Sequence, residues 1–181
     1  MSKRFAISVV LAFSLIQAKA QRYEVEQGTI RFFSDAVIED ITAENKKVSG
    51  IFDTVTSEIV FSVPTVGFEF EKSLMKEHFN EKYMETEKFP RSLFKGKISG
   101  FDPSREGRQE VRAVGQLTIH GVTRDVEIPG LITKNGAYFD IHATSQIKLA
   151  DYDIAIPQML WQNIAEQVEV TMDFTLKPRH K

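Results

Sequence analysis

Four histidines, His78, His120, His142 and His180, are the side chains best suited to moving a proton near neutral pH. No two of them form an H-x-x-x-H or H-E-x-x-H pair, so the helical zinc-hydrolase arrangement is absent. His120 precedes Gly121 in an expected turn, which points to a solvated ring. His142 lies between Ile141 and Ala143, on the strand face opposite the apolar residues, and His180 is in the tail. His78, between Glu77 and Phe79, either caps an apolar pocket or lies on a helix surface. No G-x-S-x-G elbow anchors a serine nucleophile, and neither G-x-G-x-x-G nor a P-loop is present to cradle phosphate. Glu39-Asp40 reads as solvated loop. Asp151 and Asp153 flank Tyr152 and could offer carboxylate oxygens to a divalent cation, but the stretch lacks an EF-hand pattern and reads as ordinary surface. Cysteine is absent, which excludes disulfides, thiolate metal sites and cysteine nucleophiles. Binding is therefore expected rather than catalysis, with no catalytic residue, metal or cofactor.

The 181 residues carry 23 Lys plus Arg against 25 Asp plus Glu, with no dense basic run, so a nucleic-acid partner is disfavoured. The first twenty residues read as an address. Ser2-Lys3-Arg4 supplies a basic start, residues 5–16 are uncharged and apolar, and Ala18-Lys19-Ala20 is the small-x-small pattern of a signal-peptidase site. Cleavage after Ala20 is expected to leave an exported, periplasmic protein of residues 21–181, a single domain. Losing Lys3, Arg4 and Lys19 but no acid makes the remainder more acidic, which disfavours strong attraction to anionic lipid. Transient membrane contact remains compatible with that balance.

Period-two alternation recurs through the rest of the chain. Tyr23, Val25, Ile30 and Phe32 surround Gly28, an expected bulge or bend. Ile59, Phe61 and Val63 alternate with Glu58, Val60 and Ser62. Val66, Phe68 and Phe70 alternate with Gly67, Glu69 and Glu71. Phe94, Gly96 and Ile98 oppose Lys95, Lys97 and Ser99. Val114–Ile119 turns at His120-Gly121 and runs back from Val122 to Ile128. Asn135-Gly136 is a strong hairpin signal. Phe139 to Leu149 and Val168 to Leu176 are the longest clean alternations. Two stretches break the pattern: residues 73–84, with Ser73 as N-cap, and residues 157–165, opened by Pro157, both expected as short helices. About eight long strands predict an all-β fold, an eight-stranded antiparallel β-barrel with one or two short helices. Such a barrel is just wide enough for one slender ligand or for its own side chains.

Three passages resemble the YceI-like family of exported, polyisoprenoid-binding proteins. Leu74 to Tyr83 followed by Glu87-Lys88-Phe89-Pro90-x-x-x-Phe94 is similar to the family's passage from helix to "P-x-x-x-F". Gly115-x-Leu117-Thr118-Ile119-x-Gly121-x-Thr123 is similar to its "G-x-L-t-i-x-G-x-T" hairpin. Val48-x-Gly50-x-Phe52 before Ile59-x-Phe61 is similar to its opening strands. The resemblance spans roughly residues 23–177 and implies a lipocalin-like barrel that binds an isoprenoid chain, of quinone or polyprenyl type, in an apolar channel. The chain departs from the family at Ile30-Arg31-Phe32-Phe33-Ser34-Asp35 and at Ala150-Asp151-Tyr152-Asp153-Ile154, both near an expected channel mouth.

An apolar chain needs inward apolar side chains and few polar groups. The candidates are Phe32, Phe52, Phe61, Val63, Phe68 and Phe70 from the first half. Leu117, Ile119, Ile128, Phe139, Ile141, Met172 and Phe174 follow from the second. Leu74, Met75 and Phe79, with Met159, Leu160 and Trp161, are expected to close one end, and His78, Tyr83 and Arg91 are the head-group candidates. The expected partner is an isoprenoid lipid or other long apolar molecule, bound by a monomer or homodimer that carries or sequesters it. Two other readings stand beside this one. One is a stress-response or partner-binding module with a filled barrel, acting through an exposed patch such as Phe33 or Tyr152. The other is a hydrolase or isomerase using His78 with an acid.

Overall fold

The computed structural model describes residues 22–35, 40–156 and 165–179. Its ten strands are β1 (Arg22–Ser34), β2 (Ile41–Asn45), β3 (Ser49–Asp53), β4 (Glu58–Pro64), β5 (Glu69–Phe70), β6 (Arg91–Ser99), β7 (Gly107–Ile119), β8 (Val122–Asn135), β9 (Tyr138–Lys148) and β10 (Gln167–Pro178). The ladder runs β10-β9-β8-β7-β6-β4-β3-β1, and β1 pairs back onto β10. Every pairing is antiparallel, so the sheet closes on itself and leaves no edge in the main wall.

Ten segments make eight barrel strands. β2 and β3 pair with β1 in one register, Ile30 facing Asn45 and Tyr23 facing Phe52, so they are one strand interrupted at residues 46–48. β5 likewise continues β4 alongside β2. Its register is displaced by a short 3₁₀ turn, Thr65–Gly67, which keeps Phe70 opposite the buried Ala43. The alternation read through Val66, Phe68 and Phe70 thus holds only at Glu69–Phe70, and Val66 is exposed. Asn45 bridges both interruptions. Its buried amide donates to the Pro64 carbonyl at 2.9 Å and accepts the Lys47 N–H at 2.8 Å, replacing ladder bonds that the broken strands cannot make.

The bulge expected around Gly28 falls two residues earlier. Glu26 is the extra residue, between the pairs Val25–Leu176 and Gln27–Thr175. The β7–β8 hairpin turns at His120 and Gly121, with φ of 49° and 76°, the two left-handed residues of a type I′ turn. In the β8–β9 hairpin the turn is Gly136-Ala137, flanked by the pair Asn135–Tyr138.

The helix is shorter than its pattern predicts. α1 spans Ser73–His78 and widens into a π turn at Phe79–Tyr83. Lys72, not Ser73, is the N-cap, no side chain caps the end, and none of these eleven residues is buried. The first twenty residues and 157–164, where a leader and a second short helix are expected, lie outside the described residues.

The strand registers give the barrel two unlike ends. At one end are the first residues of β1, the last of β10 and the turns after β3, β6 and β8. At the other are the end of β1, the β7–β8 hairpin, α1 and a 3₁₀ turn at Leu149–Tyr152.

Candidate functional site

The first end is shut. Tyr23, Phe52, Phe101 and Phe139 meet with ring centroids 4.5–6.1 Å apart. Phe52, Ile132 and Leu176 are wholly buried, with Phe139 and Tyr23 nearly so. Burial raises the Tyr23 hydroxyl above its ordinary pKa, with nearby Lys134 opposing the shift. One inward step above this plug, Phe61 and Phe174 stack face to face at 4.5 Å. Two glycines make room for the stack. A Cβ on Gly50 would lie 2.3 Å from the Phe61 ring, and one on Gly28 would lie 3.1 Å from that of Phe174.

Above the stack the barrel holds a cavity of about 600 Å³ that reaches the second end. That volume falls in the range of small-molecule sites, on the order of 300–1,000 Å³. Its walls are inward residues of the barrel strands, and four phenylalanines crowd its upper part. Phe32 of β1, Phe68 and Phe70 around β5, and Phe79 after α1 lie 5.0–5.8 Å apart. Leu74, Met75, His78 and Tyr83 bring the helical segment over the same space.

Of the residues expected to line a channel, Phe32, Phe61, Val63, Phe68, Phe70, Leu74, Met75, Phe79, Leu117, Ile119, Ile128, Ile141, Met172 and Phe174 line this cavity. Phe52 and Phe139 do not. They point inward as their parity requires, but so near the closed end that they belong to the plug. Arg91 faces out, and its guanidinium Nε donates to the Ser62 hydroxyl at 2.7 Å on the outer wall. It shares the parity of Lys95 and Lys97, a signal present in the sequence. Met159, Leu160 and Trp161 lie outside the described residues. Among the lining residues missed by the sequence reading are Ile30, Phe94, Ile98, Val111, Val168 and Val170, all on the inward parity of their strands, and Ile154, which follows no strand.

Polar side chains are few. Ser34 accepts the Ala165 N–H at 2.9 Å, and Ser92 and Ser145 also reach the lining. Among the described residues neither the Tyr83 hydroxyl nor the His78 ring has a hydrogen-bond partner, so both are available to a ligand. Burial raises the Tyr83 hydroxyl above its ordinary pKa, keeping it a neutral donor. No carboxylate among the described residues bonds His78, so the acid partner a hydrolase would need is not paired with it. Among the described residues the filled interior of the alternative reading is found only in the plug. Phe33 is 38% exposed, whereas Tyr152 is buried at 3%, so it forms no outward patch.

His120 is also not the solvated turn residue its context suggested. Its side chain is only 10% exposed. Nδ1 lies 3.1 Å from the Tyr152 carbonyl oxygen, Nε2 lies 3.0 Å from the Glu85 carboxylate, and the Phe89 ring packs edge-on at 4.5 Å. His142 is exposed as expected and bonds Asp173 at 2.7 Å. Among the described residues no group of three or more His, Asp or Glu could hold a metal ion.

Eight antiparallel strands closed around an apolar cavity, shut at one end, define a lipocalin-like barrel. Residues 22–176 match the YceI-like domain model, and the chain belongs to the YceI-like family. Solved structures share the fold at low identity. A polyisoprenoid binding domain from Saccharophagus degradans, described as implicated in plant cell wall breakdown, superposes with a TM-score of 0.75 at 15% identity, over 87% of this chain and 98% of that one. BcnA of Burkholderia cenocepacia gives 0.69 at 16% identity, over 82% and 95%. A YCEI protein of Campylobacter jejuni gives 0.57 at 13% identity, over 100% and 94%. No curated relative matches by sequence.

Proposed function

We propose that this protein binds a long isoprenoid chain, of quinone or polyprenyl type, in the barrel cavity, and acts as an exported carrier or sequestering protein. The cavity carries this reading: it is walled by aliphatic and aromatic residues, shut at one end, and polar only towards its open end. The Saccharophagus domain, described as polyisoprenoid binding, supports the same ligand class. Each buried CH₂ contributes about 0.8 kcal/mol, so affinity comes from chain length and fit, with no catalytic group required. Phe32, Phe68, Phe70 and Phe79 grip the chain near the mouth, while Tyr83 and His78 meet its polar head. Residues 1–20 direct export, with cleavage after Ala20 and action in the periplasm.

Native mass spectrometry of the exported protein, purified without detergent, tests this directly. The expected result is a bound mass that leaves on activation and fragments in isoprene steps. A ligand-free mass that stays unchanged after incubation with prenyl alcohols and isoprenoid quinones would sink the proposal.

A further inference from the structure

The contacts of His120 require more protons than a neutral imidazole carries. A backbone carbonyl only accepts, and so does an ionised carboxylate, so both bonds form together only when both ring nitrogens donate: Nδ1–H to Tyr152 O and Nε2–H to Glu85. A neutral ring has one N–H and leaves one of these contacts with two acceptors facing each other. Transfer of the proton to Glu85 would leave the trio with the same extra proton. The two contacts join three chain segments: the β7–β8 turn, the stretch after the π turn, and the 3₁₀ turn after β9.

Backbone strain gathers at the same point. The described residues include four non-glycine positions with positive φ, and three of them meet here: Glu85 at 42°, His120 at 49° and Asp153 at 54°. Such conformations are unfavourable for side chains with a Cβ and persist where surrounding structure over-determines them. Phe89 seals the cluster by lying across Gly121, where a Cβ would come within 2.4 Å of its ring. The charged neighbours on these elements are Glu85, Glu87 and Lys88 after the π turn, and Arg124 on β8, whose Nε donates to the Asp151 carbonyl at 2.8 Å. The 3₁₀ turn adds Asp151, Tyr152 and Asp153.

The segments joined by His120 are walls of the cavity. Tyr83 and Met84 immediately precede Glu85, while Leu149 and Ile154 flank Tyr152, and all four line the cavity. We propose that His120, held as an imidazolium, clamps these two walls together at the mouth, and that its deprotonation loosens the mouth and speeds exchange of the bound chain. His120 acts as a positioning residue and touches no ligand. Its role in exchange rests on the binding reading above, whereas the clamp itself rests on the geometry of the ring.

Two measurements on the full chain test the clamp. Long-range nitrogen–proton NMR at about pH 5 and about pH 8 reports the ring nitrogens of His120, over the range where imidazoles change charge. Both are expected to carry protons at the lower pH, one at the higher. Stopped-flow release of the neutral probe N-phenylnaphthylamine into excess phosphatidylcholine vesicles is expected to be on the order of tenfold faster at the higher pH, the scale of one lost charge-assisted bond. His120→Asn keeps the turn, because Asn tolerates a positive φ, and cannot make both bonds. It is expected to release the probe quickly at both pH values. A ring that stays neutral throughout, equal release rates in the wild type, or a wild-type pH profile in His120→Asn would each overturn the clamp. If the wild type binds no probe at all, the binding reading fails. The clamp then stands on both the ring nitrogens and amide exchange of Met84 and Ile154, bonded to the Phe79 and Leu149 carbonyls, which His120→Asn is expected to speed.

Discussion

The two ends of the barrel each gather four aromatic rings at nearly the same spacing, yet one set closes the protein and the other leaves it open. Tyr23, Phe52 and Phe139 stand on β1, β3 and β9, and Phe101 folds in from the turn after β6, so every plug ring packs against at least one other. Phe68 and Phe70 stand just after the 3₁₀ turn that interrupts β4 and β5, and Phe79 on a π turn, where no residue of the helical segment is buried. The plug rings have strand backbone and other rings around them, while the mouth rings have empty volume on one side. Aromatic content alone therefore does not distinguish a core from a binding site. What distinguishes them is whether the supporting backbone can bring partners to every face of the ring.

The contrast is sharpest in mutation. Phe52→Ala is expected to cost about 3–5 kcal/mol, the usual range for a buried phenylalanine, seen as a lower urea midpoint. An effect below about 1 kcal/mol would mean that the plug does not hold the barrel. Gly50→Ala comes next. Its methyl collides with Phe61, a ring already stacked on Phe174, and the overpacking should cost about 1–3 kcal/mol in thermal unfolding while reducing probe binding through a displaced cavity floor. Phe79→Ala should reverse the pattern. Stability should change little, because the residue lies on an unburied segment, while prenyl alcohol affinity falls roughly tenfold, the scale of one aromatic contact with the chain. Equal stability losses in Phe52→Ala and Phe79→Ala would erase the distinction between the ends.

The smallest expected effect is one of pH. Burial opposes ionisation of Asp53, but the Thr56 and Val55 N–H groups and the Arg22 guanidinium outweigh it and hold the carboxyl below its ordinary pKa. A depressed folded value means that this stability is present above the unfolded pKa of about 3.9 and is lost as pH falls through the folded value. Asp53→Asn should therefore flatten acid unfolding below about pH 4, by a fraction of a kcal/mol, as read by circular dichroism. Acid thus weakens the turn beside the plug, whereas the His120 clamp at the other end should tighten on moderate acidification.

Much of this architecture is legible in the residues. Alternation from Phe139 to Leu149 and from Val168 to Leu176 shows which side chains face inward, and His120-Gly121 marks its hairpin. Parity, however, gives a side and not a height. Phe52 and Phe32 look alike in sequence, and only the closed register puts one in the plug and the other at the mouth. The interruption at Thr65–Gly67 was hidden because Val66, Phe68 and Phe70 keep a strand's alternation through it. Asn45 and His120 were unreadable for a common reason: their partners, Pro64 and Lys47 for one, Glu85 and Tyr152 for the other, are chosen by tertiary contact.

The closure of β1 onto β10 also governs how the protein comes into being. Tyr23 pairs with Pro178, so the ring cannot be completed until nearly the whole chain has been synthesised. Contacts so distant in sequence are slow to form, because a long loop must be ordered before they stabilise anything. A nascent chain lacking β10 holds β1 and β9 as open, apolar edges, vulnerable to association with other chains. Under the proposed export the same delay is useful: the wall stays unshut until β10 arrives to close it.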